Sequence, residues 1–195
     1  MVQFRVGRWL LHGRRYDAGE ETKTVRTVTA SPPPTLVIVY HSSTGGTRQL
    51  AKAAQRGANK VQGLQVRLLR AHEAGPQDLL AAQGYLFATP EMLAAVAGLM
   101  KDFFDRCYYP VLERIEGRPY ALLVCAGSDG SNAVRQVERI ATGWRLRRVA
   151  ESRIVCVHAQ TPDAIMAAKQ IGSAELQACE DLGEAVGQGL VLGVF

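Results

Sequence analysis

Short apolar runs alternate with amphipathic stretches from Leu36 to the end of the chain. The runs are Leu36–His41, Gln65–Leu69, Tyr85–Ala88, Tyr120–Cys125 and Arg153–His158. Four of them are apolar over most of their length, the sign of strands covered on both faces, while Gln65–Leu69 alternates as an edge strand does. Between them, apolar residues recur at three- and four-residue spacing. Leu50, Ala51, Ala54, Ala58 and Val61 predict a helix from about Thr47 to Lys60. Pro76–Ala81 reads as a short helix opened by proline. Val96, Leu99, Met100 and Phe103 mark a helix from about Ala94 to Arg106, after Thr89-Pro90 has ended the third strand. Val134, Val137, Ile140 and Ala141 mark one that begins near Ser131, and Leu176, Cys179, Leu182 and Val186 a last one from about Ser173 to Gly187. This alternation predicts an α/β fold, a three-layer, doubly wound, five-stranded parallel sheet. Pattern alone does not set the strand order. The order 2-1-3-4-5 brings the loops after strands one, three and four together at the carboxyl edge, where such sheets bind ligands.

Composition narrows the partners. The chain has 195 residues, 47% of them hydrophobic, which suits one compact domain with a buried sheet. The net charge is +5, from 23 Lys/Arg against 18 Asp/Glu. Residues 1–35 carry six of the basic and three of the acidic residues, leaving 17 against 15, or +2, for residues 36–195. The domain proper is therefore close to neutral. Its one dense basic cluster, Arg145, Arg147 and Arg148, reads as solvated surface, so no nucleic-acid partner is expected. Residues 1–35 are arginine-rich, lack a period and end in Ser31-Pro32-Pro33-Pro34, which reads as a flexible basic leader with a stiff linker. A targeting reading of that segment also stands, since no acidic residue precedes Asp17. Cys107, Cys125, Cys156 and Cys179 show no C-x-x-C spacing, and no metal site is expected. Cys125 and Cys156 lie in apolar runs as small core residues, and free buried thiols suit a cytoplasmic protein. No apolar run approaches the length of a membrane span.

The candidate chemistry begins where the first strand empties into Ser42, Ser43, Thr44, Gly45, Gly46 and Thr47. Glycines let successive backbone N–H groups turn toward one point, hydroxyls add donors, and the following helix aims its free N–H groups there. Such a socket suits a phosphate. The nucleotide-triphosphate string G-x-x-x-x-G-K-[ST] is absent, and Gly45-Gly46 does not make G-x-G-x-x-G. The spacing S/T-x-T-G-x-T, carried by Ser42, Thr44, Gly45 and Thr47, resembles the FMN phosphate loop of flavodoxin-like proteins. An ordinary strand-to-helix turn capped by Thr47 is the plain alternative.

Two further loops extend the resemblance. The segment Ala88-Thr89-Pro90-Glu91-Met92-Leu93 through Lys101-Asp102-Phe103-Phe104-Asp105-Arg106 is similar to the T-P-x-x-x-G-x-x-S-x-x-x-K-x-F-x-D-R segment of the NAD(P)H-dependent FMN reductase and quinone oxidoreductase branch of the flavodoxin superfamily. Cys125-Ala126-Gly127-Ser128-Asp129-Gly130 resembles the small-residue loop at the flavin's pyrimidine edge. Met92 and Leu93 stand where relatives often carry an aromatic, and Ala94 and Ala97 replace the family's glycine and serine.

The resemblance implies an FMN-binding NAD(P)H oxidoreductase that passes electrons to a quinone, a flavin or a similar small acceptor. Its cofactor site would comprise Ser42–Thr47, Thr89, Pro90, Glu91, Met92, Leu93, Ala126, Gly127, Ser128, Asp129 and Gly130. It also implies a homo-oligomer, and no catalytic acid or base, because the flavin performs the chemistry. A flavodoxin-type electron carrier is the alternative, against which the near-neutral domain weighs; a flavodoxin-like domain without cofactor is another. Among the remaining residues, Asp129 reads as a potential-tuning group or a helix cap, His158 as a satisfied strand-end histidine and Trp144 as a structural wedge. Phe103 belongs in the core, with Phe104, Tyr108 and Tyr109 beside it. Arg48 is read as a phosphate contact or a solvated helix-start residue.

Overall fold

Six consecutive buried residues, Thr35–Tyr40, place the first strand inside the sheet rather than at its edge. The computed structural model describes residues 32–195; the basic leader, as far as Ser31, lies outside the described residues. In chain order the elements are β1 (Thr35–Tyr40), α1 (Gly46–Ala58), β2 (Gln65–Arg70), α2 (Pro76–Ala81), β3 (Gly84–Met92), β4 (Ala95–Val96) and α3 (Gly98–Val111). They continue as β5 (Pro119–Ala126), α4 (Ser131–Gly143), β6 (Arg147–Arg148), β7 (Arg153–Cys156), α5 (Pro162–Met166) and α6 (Ser173–Leu192).

β1 pairs in parallel with β2 on one side and β3 on the other, and β3 pairs in parallel with β5. β6 lies against Pro119–Tyr120 and β7 against Leu123–Ala126 along the same flank of β5, so together they form one interrupted edge strand. The five strand positions thus run 2-1-3-4-5, the order that gathers the loops after strands one, three and four at one edge, with the fifth in two pieces and β4 an additional hairpin arm.

Alternate side chains sort to opposite faces of the pleat. Val37, Val39, Tyr85, Phe87, Leu122 and Val124 face α2, α3 and α4, whereas Leu36, Ile38, Leu86 and Leu123 face α1 and α6. Phe87 centres the first layer, with its ring 5.2 Å from Phe104 and 6.5 Å from Trp144, the wedge expected of that tryptophan. Arg118 reaches across this layer to the carbonyls of Leu79, Leu80 and Ala82, closing the C-terminal end of α2 with a cation.

Several boundaries differ from the sequence reading. β3 does not stop at Thr89-Pro90 but runs to Met92, and the third helix begins at Gly98 rather than Ala94. Local periodicity was overridden by partners distant in sequence. The Val96 N–H donates to Gln136 Oε1 at 2.8 Å and the Ala97 N–H to Thr89 Oγ1 at 3.4 Å, holding Ala95–Val96 extended. α3 then continues through Pro110, and α6 runs on to Leu192 instead of ending at Gly187.

On the other face, α1 and α6 cross at contact distance. A Cβ on Gly183 would stand 2.0 Å from the Ala54 carbonyl oxygen, and one on Gly57 1.8 Å from that of Glu180. Alanine gains up to about 1 kcal/mol over glycine within a helix. Overlap with a backbone that cannot yield reverses the sign, so Gly183→Ala is expected to cost about 3 kcal/mol, read from the urea midpoint. The core also sets a pH limit. Burial pushes the Cys107 and Cys179 thiols from 9.0 up to about 11, and the Tyr85 hydroxyl from 10.0 up to about 12. Above pH 9 the unfolded chain loses these protons before the folded one does. The contribution of these groups should be level below pH 9, and that of each thiol should fall by about 1.4 kcal/mol per unit between pH 9 and 11, measured by denaturation at fixed ionic strength.

Candidate functional site

The carboxyl end of β1 enters the loop Ser42–Gly45, and α1 opens at Gly46. The helix has no side-chain cap: its N-cap is Gly45, at φ 89°, where a side chain would be strained. Thr47 lies within the first turn, fully buried, so the reading of Thr47 as the cap fails. The hydroxyls of Ser42 and Thr47 are both buried and have no hydrogen-bond partner among the described residues. Gly46 sits tightly beside β5, where an added Cβ would come 2.6 Å from Cys125 Sγ. The first-turn N–H groups of α1 lack intrahelical partners, as at any helix start. Uncapped amides, two orphan hydroxyls and a backbone free of side chains form a donor-rich, neutral cradle. Orphan buried polar groups each cost about 1–3 kcal/mol, which a bound oxyanion would offset. The residues present fit a phosphate monoester.

The second loop is the hairpin joining β3 to β4. Met92 pairs with Ala95, leaving Leu93 and Ala94 as a two-residue turn at φ 50° and 58°. Turns of this hand favour Asn-Gly, and a leucine and an alanine in them store strain of about 1–3 kcal/mol each. Leu93 stands fully exposed at the tip. The third loop follows β5. Glu91 Oε2 accepts the Gly130 N–H at 3.0 Å, and Asn132 Nδ2 donates to the Ala94 carbonyl at 2.5 Å, so the hairpin is tied to the start of α4.

These loops enclose a cleft of about 360 Å³. It brings together every residue expected in the site except Gly45, Thr89, Asp129 and Gly130. Gly45 faces a neighbouring outer cleft. Thr89 is buried beneath the hairpin, Gly130 is buried while holding Glu91, and exposed Asp129 accepts from Ser131 Oγ at 2.6 Å instead of capping α4. His158 lies beyond the end of β7, exposed at φ 50°, and does not line the cleft.

Sequence reasoning missed one wall. Val157, Ala159, Ile165 and Lys169 line the cleft from the segment after β7, which contains α5. Its signal was present in Thr161-Pro162-Asp163, a cap, a first-turn proline and an acid, and Thr161 Oγ1 does accept the Ala164 N–H. Lys169 Nζ donates to the carbonyls of Ala164, Ile165 and Ala167 at 2.6–2.8 Å, so its charge closes α5. Gln49 of α1 straps this wall to the cradle. Its Nε2 donates to the carbonyls of Gly45 and Lys169, at 3.2 and 2.7 Å, and its Oε1 accepts the Ile171 N–H.

Burial pushes the thiols of Cys125 and Cys156 above their usual range, and holds the His41 ring below its own with help from nearby His72 and Arg70. Among the described residues no group of three or more His, Cys, Asp and Glu side chains is placed to hold a metal. No helix there is long and apolar enough to cross a membrane.

Residues 71–161 match the model of the NADPH-dependent FMN reductase family. A flavodoxin of Aquifex aeolicus is 31% identical over 94 residues, 48% of this chain and 49% of its own. An NAD(P)H dehydrogenase (quinone) of Acidithiobacillus ferrooxidans is 32% identical over 91 residues, 36% of this chain and 46% of its own. The chain spans about half the length of the curated relatives it matches. A flavodoxin from the domain Archaea superimposes with a TM-score of 0.65 at 16% identity, covering 80% of this chain and 98% of that one. The fold is flavodoxin-like.

The strap has a measurable consequence. Gln49→Ala leaves the carbonyls of Gly45 and Lys169 and the Ile171 N–H without this partner, and should cost about 1–3 kcal/mol. Amide hydrogen exchange should speed up at Ile171 before it does in the central strands.

Proposed function

We propose that this chain, flavodoxin-like in fold and similar over its middle half to the NADPH-dependent FMN reductases, binds FMN and carries electrons from NAD(P)H to a quinone, a flavin or a similar small acceptor. The carrying observation is the convergence of the three loops on one cleft whose phosphate end holds the orphan hydroxyls of Ser42 and Thr47. On this reading Ser42–Thr47 hold the phosphate. Pro90–Leu93 and Ala126–Ser128 border the ring, while Thr89, Asp129 and Gly130 support those loops from outside the cleft. Bound FMN supplies the hydride and electron chemistry. Backbone N–H groups of the loops would orient it, and Met92 and Ile165, which both line the cleft, would offer its ring an apolar wall. No side chain is assigned as a general acid or base.

A cytoplasmic setting and a homo-oligomer belong to the same proposal. The fully exposed Leu93 and half-exposed Met92 at the mouth suit contact with a substrate or a second subunit. A second reading, an electron carrier without its own NAD(P)H turnover, draws on the similarity to a flavodoxin. Steady-state NAD(P)H oxidation with a quinone separates the two: rapid turnover by the purified protein supports the enzyme, and turnover that requires an added reductase supports the carrier.

The binding claim is tested by titrating the protein with FMN. Wild type should take up one FMN per chain. Gly45→Val, a β-branched residue forced to φ near 90° at the cradle, should weaken uptake about tenfold or more. Anaerobic NADPH should then bleach the bound flavin. Absence of FMN uptake by wild type defeats the proposal.

A further inference from the structure

The wall of the cradle has two sides. Ser42, Ser43 and Thr44 line both the inner cleft and an outer one of about 420 Å³, which is completed by Gly45, Arg48, Arg70, Met166 and Ala168. Arg70 ends β2, in register with Tyr40 at the end of β1, and Arg48 sits in the first turn of α1. The Arg48 guanidinium lies back over the loop, 3.6 Å from where a Cβ on Gly45 would stand.

Neighbouring arginines are anchored. Arg67, on the same strand as Arg70, meets Asp78 at 2.6 Å, and Arg56, on the same helix as Arg48, meets Glu180 at 3.0 Å. Neither Arg48 nor Arg70 has a side-chain hydrogen bond or ion-pair partner among the described residues. Arg70 also stands close enough to His41 to disfavour a positive charge there. Two unpaired guanidiniums thus line one polar hollow, with Met166 and Ala168 as an apolar side.

The cradle itself offers neutral donors for one phosphate, and Arg70 lines only the outer cleft, beyond it. Guanidinium is weakly hydrated and matches phosphate oxygens in a bidentate fork. The shared wall makes the outer hollow a continuation of the inner cleft, and its volume lies within the usual range for ligand pockets. We propose that the outer cleft is a second phosphate subsite, in which Arg48 and Arg70 bind a phosphate of an adenine dinucleotide whose redox-active ring lies in the inner cleft. This rests on the flavin reading above. Two molecules offer that chemistry: FAD in place of FMN, or the NADP(H) that reduces the flavin.

The test compares the full-length protein with its Arg70→Ala variant, and with Arg70→Gln as a bulkier neutral control. FMN and FAD are titrated into flavin-free protein, and NADP⁺ and NAD⁺ into FMN-loaded protein by calorimetry, so that no turnover occurs. Both variants should bind FMN within twofold of wild type. A loss of tenfold or more for FAD identifies the flavin's own adenylate as the occupant. The same loss for NADP⁺, with NAD⁺ less affected, identifies the nicotinamide dinucleotide. If all four ligands are unaffected, or FMN weakens as much as FAD and NADP⁺, the subsite is overturned while the flavin reading stands. Failure of wild type to bind any flavin overturns both.

Discussion

Everything at the carboxyl edge depends on how β1 hands the chain to α1. The turn is made by Gly45 in a left-handed conformation; among the described residues no side chain closes the helix, and two hydroxyls are buried without partners. A fold that only needed a turn would place an aspartate or serine at an extended N-cap, where its side chain satisfies one of the free amides. Here the donors are left free and directed at one place. Gly46 is equally constrained, because β5 and Cys125 press against it. Packing of the sheet and openness of the cradle are therefore one requirement.

The hairpin between β3 and β4 shows the same exchange of stability for geometry. Leu93 and Ala94 occupy backbone conformations that suit asparagine and glycine, yet the turn is held from both sides. Glu91 is fixed by the Gly130 amide and Ala94 by Asn132, both at the start of α4, while Gln136 further along that helix holds Val96. Strain persists where surroundings over-determine a conformation, and such places gather at sites of function. The hairpin's aliphatic tip presents apolar surface without an aromatic ring.

The wall formed after β7 is more lightly built. α5 is a five-residue helix with no buried residue, closed by Lys169 and strapped to the cradle by Gln49. Few buried contacts and a handful of polar ties describe a segment at the low-stability end of a structure, from which movable walls are drawn. The central strands, buried along nearly all their length, are its opposite. Rigid cradle and looser wall together suit a site that keeps one ligand while exchanging another.

Periodicity determined the architecture. Apolar runs of strand length, separated by helices with one apolar stripe, bury both kinds of element only as a sheet covered on two faces. The strand-to-helix loop was legible for a similar reason, since glycine and hydroxyl residues in a row mark a turn rich in backbone and side-chain donors. Tertiary structure decided what distant partners decide. Thr89 and Gln136 drew Ala95–Val96 out of a helical pattern into a hairpin, and Gly130 claimed the Glu91 carboxylate. The approach of α1 and α6 left no room for a Cβ at Gly57 or Gly183, and Gln49 brought in a wall 120 residues away. Neighbours along the chain set periods and turns, while contacts across it carry no local trace, because the groups that satisfy a backbone amide or exclude a methyl meet only once the layers have packed.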